Sequence, residues 1–172
     1  MSRIEIRKAT LHDLEVVCSI ILDCKRSMTE SGDVQWPDHH PSPEEVKKGV
    51  VSGQHFIASI GEEVVGGVLL NHSSDEQYKS IDWRFRDDNP LIVHRLAVSP
   101  KFQGRGVAKE LMRFAERYAR LNGCVALRLD TFGENKTSSI FYEKLGYERA
   151  GTIQMPQYMP GNYVCYEKEV VV

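Results

Sequence analysis

The sequence has no long hydrophobic run and little net charge, and each absence excludes a class of protein. No stretch approaches the roughly 18 uninterrupted apolar residues of a transmembrane helix. The first seven residues carry a charge at every second position instead of the apolar core of a signal sequence. Lysine and arginine number 22 against 24 aspartates and glutamates, which is too balanced for an unaided nucleic-acid or membrane binder. We therefore expect a cytoplasmic protein without nucleic-acid or membrane partners.

Cysteine and histidine lack the spacings of metal sites. The four cysteines form no C-x-x-C pair, so we expect free thiols in a reducing compartment. None of them has the setting of a covalent acyl carrier. His39-His40 has neither an H-E-x-x-H frame nor partner cysteines, so no metal site is expected.

The remaining composition is that of a compact globular chain. Its 172 residues are 41% hydrophobic, 27% charged and 9% aromatic. A chain of this length buries enough surface to fold without disulfides or metals. Because there is no internal repeat and no linker, residues 1–172 are predicted to form one domain.

Periodicity and capping patterns predict the elements of the first half. They are a strand over 2–7, a helix from the Thr10/Asp13 capping box to about Met28, a helix beginning at Pro43 after Ser42 and ending near Gly49 or Gly53, and hairpin strands over 55–60 and 64–71. Residues 31–43 contain three prolines and are predicted to be an irregular lid. Trp36 and its neighbours are expected to line a substrate mouth, and the alternative is that they only cover the sheet. Residues 73–89 are predicted to be a long hairpin or a surface excursion.

The second half alternates strands and helices. The predicted strands span 91–98, 125–131, 147–153 and 163–170, and the predicted helices run from Arg105 or Gly106 to about Leu121 and from Lys136 to Leu145. The apolar run over 91–98 predicts a central strand of the sheet.

The turn before the long helix contains two glycines in the sequence Gln103-Gly-Arg-Gly-Val-Ala108. Glycine lets the backbone approach a ligand closely, and the free amides and dipole of a helix N-terminus favour an anion. Arg105, with Lys101 and Lys109 nearby, adds positive charge at the same end. The turn is therefore predicted to bind a phosphate group.

Two common phosphate-binding motifs do not fit this turn. A P-loop needs a Gly-Lys-Ser/Thr triplet, which is absent, and a dinucleotide-binding fingerprint needs a Gly or Ala where Lys109 stands. The pattern Q/R-x-x-G-x-G/A does fit at Gln103, Gly106 and Ala108. With the order of the surrounding elements, it makes the sequence resemble the GNAT superfamily of acetyl-CoA-dependent N-acetyltransferases. Residues 90–170 carry most of the resemblance, and the first half resembles the family in element order.

The resemblance implies a fold and a cofactor. The expected fold is a mixed α/β sheet of six to seven strands, splayed at the centre, with about four helices. The expected cofactor is acetyl-CoA, with its pyrophosphate on the turn and its pantetheine arm paired with the backbone of the central strand. The implied binding residues are Leu96, Ala97 and Val98 on that strand, Gln103, Gly104, Arg105, Gly106, Val107, Ala108 and Lys109 in the turn, and Asn135, which is also a good helix N-cap.

Acetyl transfer to an amine needs a proton acceptor and a proton donor. An alkylamine with a pKa near ~10.4 is mostly ammonium at pH 7, and the departing thiolate benefits from a proton. Tyr142 in Phe141-Tyr-Glu-Lys-Leu-Gly146 matches the family tyrosine that protonates the thiolate. The alternative for Tyr142 is a core aromatic.

The base does not match the family glutamate, because Ile92 stands at the equivalent position. His94 lies on the same strand face, two residues along, and is predicted to relay a proton through water. The alternative for His94 is a hydrogen-bonded core histidine. Asp130 is expected to bond the neighbouring backbone, with orientation of a substrate amine as its alternative.

The function expected from the resemblance is acetyl transfer from acetyl-CoA to a primary amine, by direct attack in a ternary complex. A small-molecule acceptor is favoured over a protein N-terminus or a lysine. The alternative from another class is a non-catalytic acyl-CoA binding or regulatory module. A homodimer is a candidate assembly, because dimers are frequent in proteins of this kind.

Overall fold

A computed structural model of the protein describes residues 3–32, 36–85 and 89–170. The strands in these ranges are β1 (Ile4–Lys8), β2 (His55–Ile60), β3 (Glu63–Asn71), β4 (Leu91–Val98), β5 (Ala126–Phe132), β6 (Glu148–Gln154) and β7 (Asn162–Glu169). The α-helices are α1 (Leu14–Ser31), α2 (Pro43–Val51), α3 (Val107–Leu121) and α4 (Lys136–Lys144), with 3₁₀ turns at Leu11–Asp13, Glu76–Ser80 and Pro100–Phe102. None of these helices has the length and apolarity that a membrane crossing requires.

The strands form one mixed sheet in the order β1-β2-β3-β4-β5-β7-β6. Neighbouring strands are antiparallel except β4 and β5. This parallel pair is joined only at Leu91↔Leu127 and Ile92↔Arg128, so the two strands separate beyond these residues. The fold expected from the resemblance, a sheet of six to seven strands splayed at its centre with four helices, is thereby confirmed.

The helices cover the two faces of the sheet. Phe56 and Ala58 of β2 belong to a core with residues of α3 and α4. Ile57, between them, belongs to a second core with residues of α1 and α2. Because successive side chains of a strand point to opposite faces, the two cores lie on opposite sides of the sheet.

Strand β4 contains a bulge in its second half. Leu69 of β3 pairs with His94, and Gly67 pairs with Ala97, so β4 carries one residue more than β3 over this interval. Arg95 in the bulge has φ +53°, a left-handed conformation that is uncommon for a residue other than glycine. Such bulges bend a strand and redirect its side chains, here at the point where β4 leaves β5.

The predicted helix boundaries depend on capping residues. The Ser42/Glu45 capping box before α2 is present with both reciprocal hydrogen bonds. The predicted end of the first helix at about Met28 is wrong, because α1 continues to Ser31 and Gly32 caps it with φ +79°. Gly32 ends the helix because glycine adopts this conformation without steric cost.

The segment 73–89 is an excursion without strands in its described part. It contains the turn Glu76–Ser80, in which Tyr78 is buried. Residues 86–88 lie outside the described residues. The surface-excursion alternative fits the described part, and the hairpin alternative does not.

The buried carboxylate of Glu167 attaches this excursion to β7. It accepts the backbone N–H of Arg84 at 2.7 Å and of Phe85 at 3.3 Å. Arg128 of the neighbouring strand donates to the Phe85 carbonyl at 2.9 Å, and its guanidinium lies 4.5 Å from the centre of the Trp83 ring. The excursion is thus fastened to the sheet by polar contacts beneath it.

Replacing Glu167 should therefore weaken the fold. Glu167→Ala leaves two backbone amides without their acceptor, and we expect a loss of about 2–3 kcal/mol in the free energy of unfolding. Urea denaturation measures this change. Glu169→Ala, on the exposed end of the same strand, serves as the control and should change the free energy by less than about 0.5 kcal/mol. Equal effects at the two positions would contradict the role of Glu167.

Candidate active site

A cavity of about 650 Å³ opens between β4 and β5, where the strands separate. Its size is within the range of small-molecule and cofactor sites. Of the residues predicted for the site, the ones that line it are His94, Leu96, Ala97, Val98, Gln103, Gly104, Ala108, Asn135 and Tyr142. The others, Arg105, Gly106, Val107 and Lys109, belong to the same turn and the first turn of α3 but do not line the cavity.

The glycine turn leaves a row of backbone amides unbonded. None of the N–H groups from Gly104 to Lys109 donates a hydrogen bond within the described chain. Gly104 has φ +75° and Gly106 has φ +84°, and an added Cβ at either position would meet nothing within 4 Å. The Gln103 side chain donates to the Val98 carbonyl at 3.1 Å and so ties the turn to the end of β4. The turn can therefore hold an anion with backbone groups alone.

The free edge of β4 forms one wall of the cavity. Beyond Ile92 this strand pairs with β3 on one side and has no register partner in β5. The carbonyl of Val98 also accepts the Cys24 thiol at 3.2 Å. Burial raises the pKa of Cys24 to about 11, so its sulfur is a neutral thiol at pH 7.

Tyr142 is held in α4 by aromatic packing. Its ring centre lies 6.0 Å from that of Tyr147 and 6.1 Å from that of Tyr166, and the residue is 7% exposed. Burial raises the pKa of Tyr142 above its ordinary value, and the nearby Asp130 carboxylate raises it further. Asn135 precedes helix α4, and its side chain accepts the Ser138 N–H at 3.0 Å, so the predicted N-cap is confirmed.

His94 is hydrogen-bonded through one ring nitrogen. Nε2 lies 3.0 Å from Asn71 Oδ1 and 3.0 Å from the Ser73 carbonyl. A carbonyl oxygen only accepts, so we assign the proton to Nε2, which leaves the lone pair on Nδ1. Burial lowers the pKa of His94 to about 4, and the imidazole is therefore neutral at pH 7.

Asp130 lines the same cavity and does not make the backbone bond expected of it. Instead its Oδ1 accepts the Tyr78 hydroxyl at 2.7 Å. Burial raises the pKa of Asp130 to about 6, and the neighbouring Asp75 contributes to the increase. The only sign of this site in the sequence is an acidic residue in a predicted strand of the sheet, a residue type that is seldom buried.

A polar network that sequence reasoning missed lines the same cavity. Glu45 lies 3.0 Å from His40 Nδ1 and 3.5 Å from Arg95 Nη2. The centre of the His40 ring lies 4.4 Å from that of Tyr158, with the two rings tilted by 40°, and the Tyr158 hydroxyl donates to Asp75 at 3.1 Å. His40 and Glu45 are five residues apart, but Asp75, Arg95 and Tyr158 are distant in sequence, so the fold brings the network together.

The predicted lid contributes to the lining of the cavity through its described part. Trp36, Pro37 and His40 line the cavity, which agrees with a substrate mouth at Trp36. Lys25 of α1 donates to the carbonyls of Asp38 and Pro41 at 3.1 and 3.3 Å and holds the segment in place. Residues 33–35 of the predicted lid lie outside the described residues.

Solved structures share this fold over nearly the whole chain. An acetyltransferase of the GNAT family from Streptococcus agalactiae 2603 has a TM-score of 0.83 at 20% identity, covering 98% of this chain and 96% of that one. The PaiA N-acetyltransferase from Thermoplasma acidophilum, in complex with coenzyme A, has a TM-score of 0.75 at 20% identity, covering 97% of this chain and 99% of that one.

Sequence comparisons agree with the fold. The protein YesJ of Bacillus subtilis (strain 168), an uncharacterised N-acetyltransferase, is 24% identical over 168 residues, which span 94% of this chain and 88% of the relative. The N-acetylaspartate synthetase of Danio rerio is 37% identical over 65 residues, 38% of this chain and 23% of that protein. The family model of the acetyltransferase (GNAT) family matches residues 15–147. The chain therefore belongs to this family, and it is an N-acetyltransferase that uses acetyl-CoA.

Proposed function

We propose that the acceptor is the primary amine of a small molecule and that it attacks acetyl-CoA directly, in a ternary complex on one domain spanning residues 1–172. The observation that carries the proposal is one cavity lined by Tyr142, by the neutral imidazole of His94 and by Gly104 and Ala108, two residues of the turn whose backbone amides are unbonded. These are an anion site, a proton donor and a proton acceptor around one opening.

The residues of the turn fit the diphosphate of coenzyme A. Bound acetyl-CoA would supply the thioester that an amine attacks. The unbonded amides from Gly104 to Lys109 would hold its diphosphate, and the charges of Arg105 and Lys109 would add to their attraction. The free edge of β4 at Leu96 and Ala97 would face the pantetheine arm, as an added strand does. Asn135 would line the same binding site.

The state of Cys24 supports direct attack. Of the described residues that line the cavity, it is the only cysteine. Its thiol donates to the Val98 carbonyl, and its pKa is raised to about 11. A nucleophilic or acyl-carrying cysteine needs a lowered pKa, so an acetyl-cysteine step has no suitable residue here.

Two side chains have suitable states for proton transfer. Tyr142 stays protonated at pH 7 because its pKa is raised, and it can therefore donate to the departing thiolate. His94 offers the Nδ1 lone pair, and with a pKa of about 4 it passes a proton on without retaining it. We assign Tyr142 as the acid and His94 as the relay.

The shape of the site favours a small acceptor. The cavity of about 650 Å³, which Trp36, His40 and Tyr158 help to line, has the size of a small-molecule site. Release of coenzyme A thiol over a panel of small amines and lysine-bearing peptides tests this choice. Thiol release above the spontaneous rate with small amines supports the enzyme, whereas acetyl-CoA binding without release for any acceptor would support a non-catalytic module.

Substitution of Gly104 tests the phosphate site. Gly104→Ala places a side chain on a backbone of φ +75° beside the unbonded amides, and we expect coenzyme A affinity to fall by roughly 10-fold, about 1.4 kcal/mol. Calorimetric titration with coenzyme A measures the loss. Gly123→Ala is the matched control, because Gly123 has φ +73°, equally open surroundings and a position at the far end of α3. Both variants should lose similar stability, and equal losses of affinity would refute the site.

Replacement of Tyr142 tests the proton donor. Tyr142→Phe keeps the ring packing and removes the hydroxyl, so turnover should fall by roughly 100-fold while acetyl-CoA affinity is unchanged. The control is Tyr147→Phe, since Tyr147 packs against Tyr142 but does not line the cavity. Unchanged turnover in the Tyr142 variant would remove this residue from the mechanism.

A further inference from the structure

Asp130 lines the cavity, and one of its carboxylate oxygens accepts no hydrogen bond from the described residues. Tyr78 donates to Oδ1 at 2.7 Å, and no described residue donates to Oδ2. The side chain is surrounded by protein except where it faces the cavity. The free oxygen is therefore available to a ligand in the cavity.

The groups around Asp130 bring no positive charge to it. The titratable groups that face it are Asp75 and Tyr78 from the excursion, Tyr142 from α4, Tyr158 from the β6–β7 connection, and Tyr163 and Cys165 from β7. The tyrosines and the cysteine are neutral at pH 7, and Asp75 is a second carboxylate. Arg95 is the only arginine or lysine among the described residues that line the cavity, and it is paired with Glu45.

This charge distribution favours a cationic ligand. Three carboxylates, Glu45, Asp75 and Asp130, line the cavity against the single guanidinium of Arg95. A buried carboxylate without a cation is costly, so a bound ammonium would relieve the cost at Asp130. A ligand with its own carboxylate would meet like charges instead.

We propose that Asp130, supported by the Tyr78 hydroxyl, binds the acceptor as an alkylammonium and takes its proton, and that the acceptors are small primary amines without a carboxylate beside the amine. This inference rests on the proposed acetyl transfer and names its substrate class. Asp130 is then a catalytic residue, because it touches the acceptor, and Tyr78 is a positioning residue.

The proton step balances within this pair. The proton leaves the ammonium nitrogen for Asp130 Oδ2, and the electron pair of the broken N–H bond stays on nitrogen as the lone pair that attacks. Because both groups lose their charge in this step, removal from water lowers the cost of the transfer. A carboxyl whose pKa is raised to about 6 holds the proton more readily than an ordinary aspartate.

Matched acceptors test the substrate class. Phenethylamine and phenylalanine differ by one carboxylate beside the amine, and we expect kcat/KM for phenethylamine to be at least 10-fold higher. Asp130→Asn, which keeps the shape, should lower kcat/KM for the amine roughly 100-fold and leave coenzyme A affinity unchanged. Equal use of both members, or an Asn variant within twofold of the parent protein, would overturn the proposal.

The pH profile separates a catalytic from a structural role. Asp130 must be ionised to bind an ammonium, so kcat/KM should fall as the pH drops below about 6. Tyr78→Phe removes a hydrogen bond that lowers the pKa of Asp130, and the acid limb should move to higher pH. Asp75→Asn removes a charge that raises this pKa, and the limb should move to lower pH. A limb that stays in place in both variants would contradict the assignment.

A binding measurement distinguishes this inference from the proposed function. The side-chain carboxyl carbon of Asp130 is followed by NMR as a function of pH, without and with phenethylamine. Titration near pH 6 that moves to lower pH with the amine supports ammonium binding, even if no amine releases thiol, in which case acetyl transfer alone fails. No response to the amine overturns the inference, whatever the thiol-release assay gives.

Discussion

The separation of β4 from β5 after two paired residues is the constraint on which the site depends. Pairing between β4 and β5 ends at Ile92 and Arg128. Beyond these residues each strand is paired only with its other neighbour. Unpaired backbone groups are costly to bury. They therefore face an opening, where a bound ligand can form hydrogen bonds with them. The bulge at Arg95 bends β4 where it leaves its neighbour, and the cavity lies in the resulting gap.

The chemistry of the site follows from the burial of its titratable side chains, with no cation to neutralise Asp130. Removal from water keeps Cys24 a thiol, Tyr142 a phenol and His94 an uncharged imidazole at pH 7. Asp130 is different, because even its raised pKa of about 6 leaves it mostly ionised. The site thus combines neutral hydrogen-bond donors and acceptors with the negative charge of Asp130. This arrangement suits the binding of a cation.

Features encoded locally could be predicted from the sequence. The Ser42/Glu45 capping box, the apolar periodicities and the glycine turn each depend on a few neighbouring residues. Asp130 could not be assigned, because the hydroxyl it accepts belongs to Tyr78, 52 residues away, in a segment without periodicity. The bulge at Arg95 was equally hidden, since the run LIVHRLAV has no turn residue to mark it. Long-range pairings of this kind are decided by the packing of whole elements.

The proximity of Asp130 to Tyr142 has a consequence for the order of events. The negative carboxylate opposes ionisation of the phenol and is one cause of its raised pKa. Once the carboxylate has been neutralised by a proton, that opposition ends and the phenol becomes the stronger acid. Deprotonation of the amine by Asp130 would thereby lower the pKa of Tyr142, the residue assigned to protonate the leaving thiolate. The charge of one carboxylate would couple the first proton transfer to the last.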